Sequence, residues 1–288
     1  MRLDDLRPTN NVDDRRGSGG FGGSGIGPVH IAGGGGLGLV GIVVLALLFG
    51  VDPGTLLNGA DTAGGGSSSY TQNDGSPRAD DASFQFARKI VGSAEDVWQP
   101  LLQKQGVTFT PATLTTYDVQ TPTACGEGSS SAGPFYCPGD NRIYLDLSFF
   151  NQLATQFGAP GQFAQAYVIA HEYGHHIQNL MGTMNAHDTS ESGAEGASVR
   201  TELQADCYAG VWAYHANAQF HVLQTGDVEG GLKAASAVGD DTLEKAGQGY
   251  VVPDSFTHGT SEQRMRWFKR GLANGDMAAC DTFNASEL

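Results

Sequence analysis

The sequence predicts a mostly helical α+β domain with a small sheet, preceded by one apolar span, on three observations. Apolar residues recur at helical spacing from Phe84 through Ala87, Ile90, Val91, Ala94, Val97 and Trp98 to Leu102. Two short stretches, Val107 to Tyr117 and Arg142 to Leu147, alternate in the manner of strands instead. Between Arg16 and Asp52 there is no Lys, Arg, Asp or Glu, and Val29 to Val51 is long enough to cross a hydrocarbon layer of about 30 Å as a helix.

In chain order, residues 1–28 are polar and Gly-rich and read as a disordered cytoplasmic tail. Residues 29–51 read as a transmembrane signal anchor. A cleaved signal peptide is the alternative, but the polar lead-in is long for one and no small-x-small site follows Phe49. Arg2, Arg7, Arg15 and Arg16 precede the span and the next basic residue is Arg78, so the positive-inside rule puts the N-terminus in the cytoplasm and the rest outside. Residues 52–80, dominated by Gly, Ser, Asn, Asp and Thr, read as a flexible linker. Residues 81–288 form the folded domain.

Helices are expected at about 81–105 (broken near Gly92-Ser93), 148–157 (capped by Ser148), 162–181 (ended by Gly182), 197–221, 227–237, 240–247 and 261–273. Pro111 suits an edge position for the strand at Val107 to Tyr117. All four cysteines follow the apolar span, which favours disulfides; of the three pairings that four cysteines allow, the one expected is Cys125 with Cys137, closing a Gly/Ser-rich loop, and Cys207 with Cys280, tying the tail to a helix. A formal charge of −15, with no clustered Lys and Arg, excludes a nucleic-acid surface.

The chemistry is concentrated in His171-Glu172-Tyr173-Gly174-His175. On a helix, two His four residues apart leave one face and can share a metal ion. Glu172 is rotated roughly 100° from the first ligand, so it reaches a water rather than the ion. This is the HExxH pattern of zinc hydrolases. A catalytic zinc keeps three protein ligands and one open position. A third His in the spacing HExxHxxGxxH is excluded, because Gln178 and Met181 stand at those places. Glu202 can complete the set, and Asp206, one turn further on a helix rich in small residues, can accept a hydrogen bond from a ligating His. His258, in a loop before the last helix, is a candidate to stabilise an oxyanion; capping that helix is the competing role. His176, His187, His215 and His221 read as packing or surface residues, Tyr173 as packing, and Arg264 to Arg270 as a solvated face.

Glu202-x-x-x-Asp206 after HExxH resembles the gluzincin arrangement, and the whole chain resembles the neutral zinc metallopeptidase family of bacterial single-pass membrane proteins. The resemblance rests on Asn11-Val-Asp-Asp-Arg-Arg-Gly17, the apolar span, Gly133-Pro-Phe-Tyr-Cys137-Pro, Ile143 to Phe150 and His258-Gly-Thr-Ser-Glu-Gln-Arg264. It implies a zincin-like fold, zinc on His171, His175 and Glu202, and Glu172 as general base. The expectation is a membrane-anchored peptidase acting on a peptide or protein substrate outside the cytoplasm. Two alternatives stay open at this stage: a zinc amidohydrolase for a non-peptide envelope substrate, and a non-catalytic scaffold stabilised by zinc. Substrate and oligomeric state are not legible.

Overall fold

The computed structural model describes residues 1–17, 81–188 and 190–288. The expected anchor and linker, with His30, lie outside these. Among the described residues no helix is long and apolar enough to cross a membrane. The elements in chain order are β1 (Val12–Asp14), α1 (Asp81–Lys104), β2 (Thr113–Thr116), β3 (Gln120–Thr123), β4 (Gly126–Ser129), β5 (Phe135–Cys137), β6 (Arg142–Leu145), α2 (Phe149–Thr155), α3 (Gln162–Met181), α4 (Thr183–Ala186), α5 (Ala197–Phe220), α6 (Asp227–Ala237), α7 (Asp240–Gln248) and α8 (Ser261–Asn274).

The main sheet has the order β1-β2-β6-β5, with β1 and β2, and β2 and β6, parallel, and β5 antiparallel to β6. A separate hairpin pairs β3 with β4. Two sequence expectations change here together. Residues 1–17 are not a disordered tail but part of the fold, with Val12 opposite Leu114 and Asp14 opposite Thr116. Their polar composition concealed specific partners: Thr9 and Asn11 donate to the buried Glu95, and Arg7 pairs with Glu95 and Asp96. Because β1 covers one side of β2, that strand is interior rather than an edge, and Pro111 falls just before it.

Helix α1 is continuous through Gly92-Ser93. Gly92 is there because the first segment crosses the helix: a Cβ on it would lie 2.2 Å from Arg7 O. Ser148 starts α2 without capping it through its side chain; Asp146 accepts from the Ser148 amide instead. The pairings Cys125–Cys137 and Cys207–Cys280 are both present, with S–S distances of 1.98 Å. The first joins the β3–β4 turn to β5, and the second ties the C-terminal tail to α5.

Helices α3, α5 and α8 pack in a layer around Phe163, Tyr167, Trp212 and Phe268, all buried. Their separation is set by small residues, because backbones approach closely only where no side chain intervenes. A Cβ on Gly210 would be 2.1 Å from Phe268 O, and one on Gly271 would be 1.9 Å from Cys207 O. Gly271→Ala therefore forces α5 and α8 apart and is expected to destabilise the domain by about 2 kcal/mol after the gain in helix propensity. Gly230, in α6 with open space around its Cβ position, is the control. Gly230→Ala should stabilise by about 0.5–1 kcal/mol, and urea unfolding of the two variants beside the wild type checks both signs.

Candidate metal centre

The motif lies in the middle of α3, between an N-cap glycine (Gly161) and Gly182 in the left-handed conformation at its C-terminus. Gly174, inside the motif, is where α3 crosses α5. A Cβ there would sit 2.9 Å from Ala205 O. That contact puts His171 and His175, on either side of Gly174, against Glu202 and Asp206, on either side of Ala205. The facing i, i+4 pairs of two crossing helices make the site.

His171 Nε2 lies 3.1 Å from Glu202 Oε2, and His175 Nε2 lies 3.3 Å from Glu202 Oε1. The potential ligand atoms of the three residues fall within 4.8 Å of one another, the one such group of His, Cys, Asp and Glu among the described residues. Two buried imidazoles and one carboxylate suit zinc by chemistry and by number. The far side of each ring strengthens the fit. His171 Nδ1 is 2.8 Å from Asp206 Oδ1, a carboxylate that only accepts, so Nδ1 carries the proton and Nε2 keeps its lone pair. His175 Nδ1 is 2.8 Å from Gln178 Oε1. The orientation of that amide is fixed because Gln178 Nε2 donates to Thr201 O at 2.7 Å and to Gln204 Oε1 at 3.1 Å. Gln204 in turn donates to Cys280 O, so the disulfide-held tail closes the relay behind His175.

Asp206 is fully buried and is held by three groups. Arg264 Nε and Nη2 reach its two oxygens at 2.8 and 3.1 Å, the Tyr167 hydroxyl donates to Oδ1, and His171 completes the set. Burial alone would raise the Asp206 pKa, but the charge of Arg264 and the His171 contacts outweigh it and hold the carboxyl below its ordinary value. Burial opposes a charge on His171, whereas Asp206 and Glu202 favour one and push its pKa up to about 10. A metal ion would compete with the second ring proton for the Nε2 lone pair, so metal affinity should fall with falling pH.

Glu172 is buried, and this raises its carboxyl above the usual range while the two imidazoles pull it down. Among the described residues no hydrogen bond engages it. His258 is placed by Asp240. One Asp240 oxygen accepts from the Thr257, His258 and Gly259 amides at 2.7, 2.6 and 3.0 Å, and the other lies 3.1 Å from His258 Nδ1. Burial would lower the His258 pKa, but the Asp240 hydrogen bond and the charges of Glu202 and Asp240 raise it above its ordinary value. His258 is thus close enough to Glu202 for the two charges to interact. It does not cap α8; Thr260 and Gln263 form a capping box there.

Every residue expected at the site is thus in one neighbourhood, and four contributors were missed. Tyr167 and Gln178 share the ligand face of α3, four residues before His171 and three after His175, and that spacing is the signal that could have found them. Arg264, expected on a solvated face, is 3 % exposed; Arg266, Lys269 and Arg270 of that cluster lie toward the outside, Arg266 pairing with Glu262 and Glu287 and Arg270 stacking on Trp267. Asp240 carries no sequence signal, since its partner loop lies 18 residues away. His176 is buried between Thr110 O and the Tyr136 hydroxyl, away from the ligands. Tyr173 is packed, as its position on the helix implied.

A profile of the family described as "Putative neutral zinc metallopeptidase" matches residues 1–283. The chain is 45 % identical over 294 aligned positions to "Uncharacterized protein YpfJ" of Escherichia coli (strain K12), covering 99 % of this chain and all of that one. It is 42 % identical over 257 positions to "Uncharacterized protein Rv2575" of Mycobacterium tuberculosis (strain H37Rv), covering 84 % and 86 %. No solved structure matches the chain significantly.

Two substitutions test the support around the ligands. Gln178→Ala, which leaves all three ligands in place, should weaken zinc binding roughly 10- to 100-fold in a competition titration with a chelator. Arg264→Met strands a buried carboxylate and should cost about 3–5 kcal/mol in urea unfolding, against roughly 1–3 kcal/mol for Tyr167→Phe.

Proposed function

The chain belongs to the neutral zinc metallopeptidase family, and from that membership and the geometry of its site we propose that it is a zinc-dependent peptidase that works outside the cytoplasm. The observation that carries the reading is the pairing of opposed roles on one helix. His171 and His175 have Nδ1 engaged and Nε2 directed at Glu202, while Glu172 between them is left without a hydrogen-bond partner among the described residues. A scaffold has no use for such a carboxylate. The ligand count supports the same choice: three protein ligands leave an open position, whereas structural zinc is closed by four.

The HExxH helix crossed by a second helix bearing Glu202, beside a small mixed sheet, supports reading the fold as zincin-like. Zinc held by His171, His175 and Glu202 supplies a Lewis acid for the scissile carbonyl and acidifies a water. Glu172 accepts the proton of the attacking water and returns it to the leaving nitrogen. Its raised pKa suits both halves of that transfer, because a weaker acid is a better base and still gives the proton back. His258, held by Asp240, donates to the oxygen that gains charge as the carbonyl is attacked. Asp206 and Gln178 hold the ligand rings in one tautomer throughout. Two disulfides support an oxidising, extracytoplasmic location, and the apolar run 29–51 supports attachment to a membrane.

In the full-length protein, Glu172→Gln should retain stoichiometric zinc in metal analysis and lose roughly 100- to 10,000-fold of its rate against a peptide library, whereas His171→Ala should lose the metal as well. Full activity in Glu172→Gln would exclude this mechanism, and wild-type cleavage of cell-wall amides in place of peptides would redirect the substrate class. The role of His258 predicts a pH effect of definite sign. Its donor form exists below its raised pKa and is lost as pH rises through it. Asp240→Asn removes the charge that raises the pKa, so the alkaline limb of kcat/KM should move to lower pH, with a stability cost of about 2–3 kcal/mol for the weakened clamp.

A further inference from the structure

The face of α1 and the side of β2 form a receptor for residues 1–17. Leu6 and Thr9 are buried in it. Arg88 donates to Thr9 O from Nε and Nη2 at 3.2 and 2.9 Å, Lys89 donates to Leu3 O at 2.8 Å, and Thr9 N donates to Arg88 O at 2.9 Å. Glu95, itself 5 % exposed, takes hydrogen bonds from Thr9 and Asn11 and an ion pair from Arg7 at 2.9 Å. Without the first segment, Glu95 would lose those partners and β2 would lose the strand beside it. Gly92 is shaped for this occupant, since a Cβ on it would meet Arg7 O at 2.2 Å. The segment is therefore a structural member of the catalytic domain, recognised by charge and by strand pairing.

These contacts are a few ångströms long, and a hydrocarbon layer is about 30 Å thick. A single crossing between residues 17 and 81 would leave β1 and its receptor on opposite sides. The domain to which the receptor belongs carries Cys125–Cys137 and Cys207–Cys280, which belong to an oxidising compartment. Three of the four arginines that suggested retention of the N-terminus in the cytoplasm are paired with carboxylates: Arg7 with Glu95 and Asp96 of α1, and Arg15 and Arg16 with Asp13 and Asp14 of the same segment. We propose that residues 1–17 lie on the same exported side as residues 81–288 and complete the catalytic domain there.

This rests on the exported location of the peptidase domain, and the test separates the two. Asp5→Cys and Tyr250→Cys, each at an exposed position, are made one at a time in the full chain, and intact spheroplasts are treated with a membrane-impermeant maleimide. The expected result is labelling of both to a similar extent before lysis. Labelling of Tyr250→Cys with Asp5→Cys protected until lysis would overturn the proposal and leave the exported peptidase standing. Protection of both until lysis would overturn the exported location itself, and the proposal with it. Docking is read separately in the folded, purified protein: Leu6→Cys, at a position 4 % exposed, should react at least about ten-fold more slowly than Asp5→Cys, whereas equal rates would overturn the receptor.

Discussion

The carboxylate of Asp206 is the interaction on which the rest of this structure depends. It has no solvent exposure and is bonded by Tyr167 and His171 from α3 and by Arg264 from α8, while its own backbone belongs to α5. A buried charge with that many donors is stable only while all three helices keep their positions. Burial of the carboxylate thus turns helix packing into ligand geometry. The same requirement explains the glycines: Gly174 lets α3 reach α5, and Gly210 and Gly271 let α5 reach α8. A side chain at any of these would open the gap that Asp206 closes.

Around that centre the two ligand rings are supported differently. His171 is backed by a charge, and His175 by the neutral amide of Gln178, whose orientation is fixed through Gln204 and the disulfide-held Cys280. One anionic and one neutral support give the three-residue cluster less negative charge around it than two carboxylates would. His258 stands apart, oriented from α7 through Asp240 rather than from the ligand helices. A loop residue oriented in this way can contact substrate without disturbing the metal.

The parts of this arrangement with a local period were legible in the sequence. The spacing of His171 and His175, the small residues of α5 and the glycine stop at Gly182 follow from helix geometry, and of the three pairings four cysteines allow, Cys125–Cys137 and Cys207–Cys280 are the ones that close a Gly/Ser-rich loop and tie the tail to a helix. The parts that depend on distant contacts were not. Arg264 looks solvated beside Arg266, Lys269 and Arg270 because composition does not reveal which of four basic residues on one helix turns inward. Gln178 was considered only as a ligand that failed to be histidine, although an amide three residues after His175 was in place to hold that ring. Residues 1–17 misled most: four arginines and few apolar residues signal a disordered tail, yet the segment pairs with a carboxylate and a strand more than 60 residues away. Once β1 is counted, β2 stops being an edge, and Pro111 marks only where pairing begins.

We propose that His171, His175 and Glu202 make an open zinc site with Asp206 and Gln178 behind the rings. A crystal structure of the zinc-loaded protein, with anomalous data on both sides of the zinc edge, tests this most directly. The expected result is one ion bonded to both Nε2 atoms at about 2.0–2.1 Å and to a Glu202 oxygen, with a water in the remaining position. An ion bonded to Asp206, or closed off by a fourth protein ligand, would contradict it.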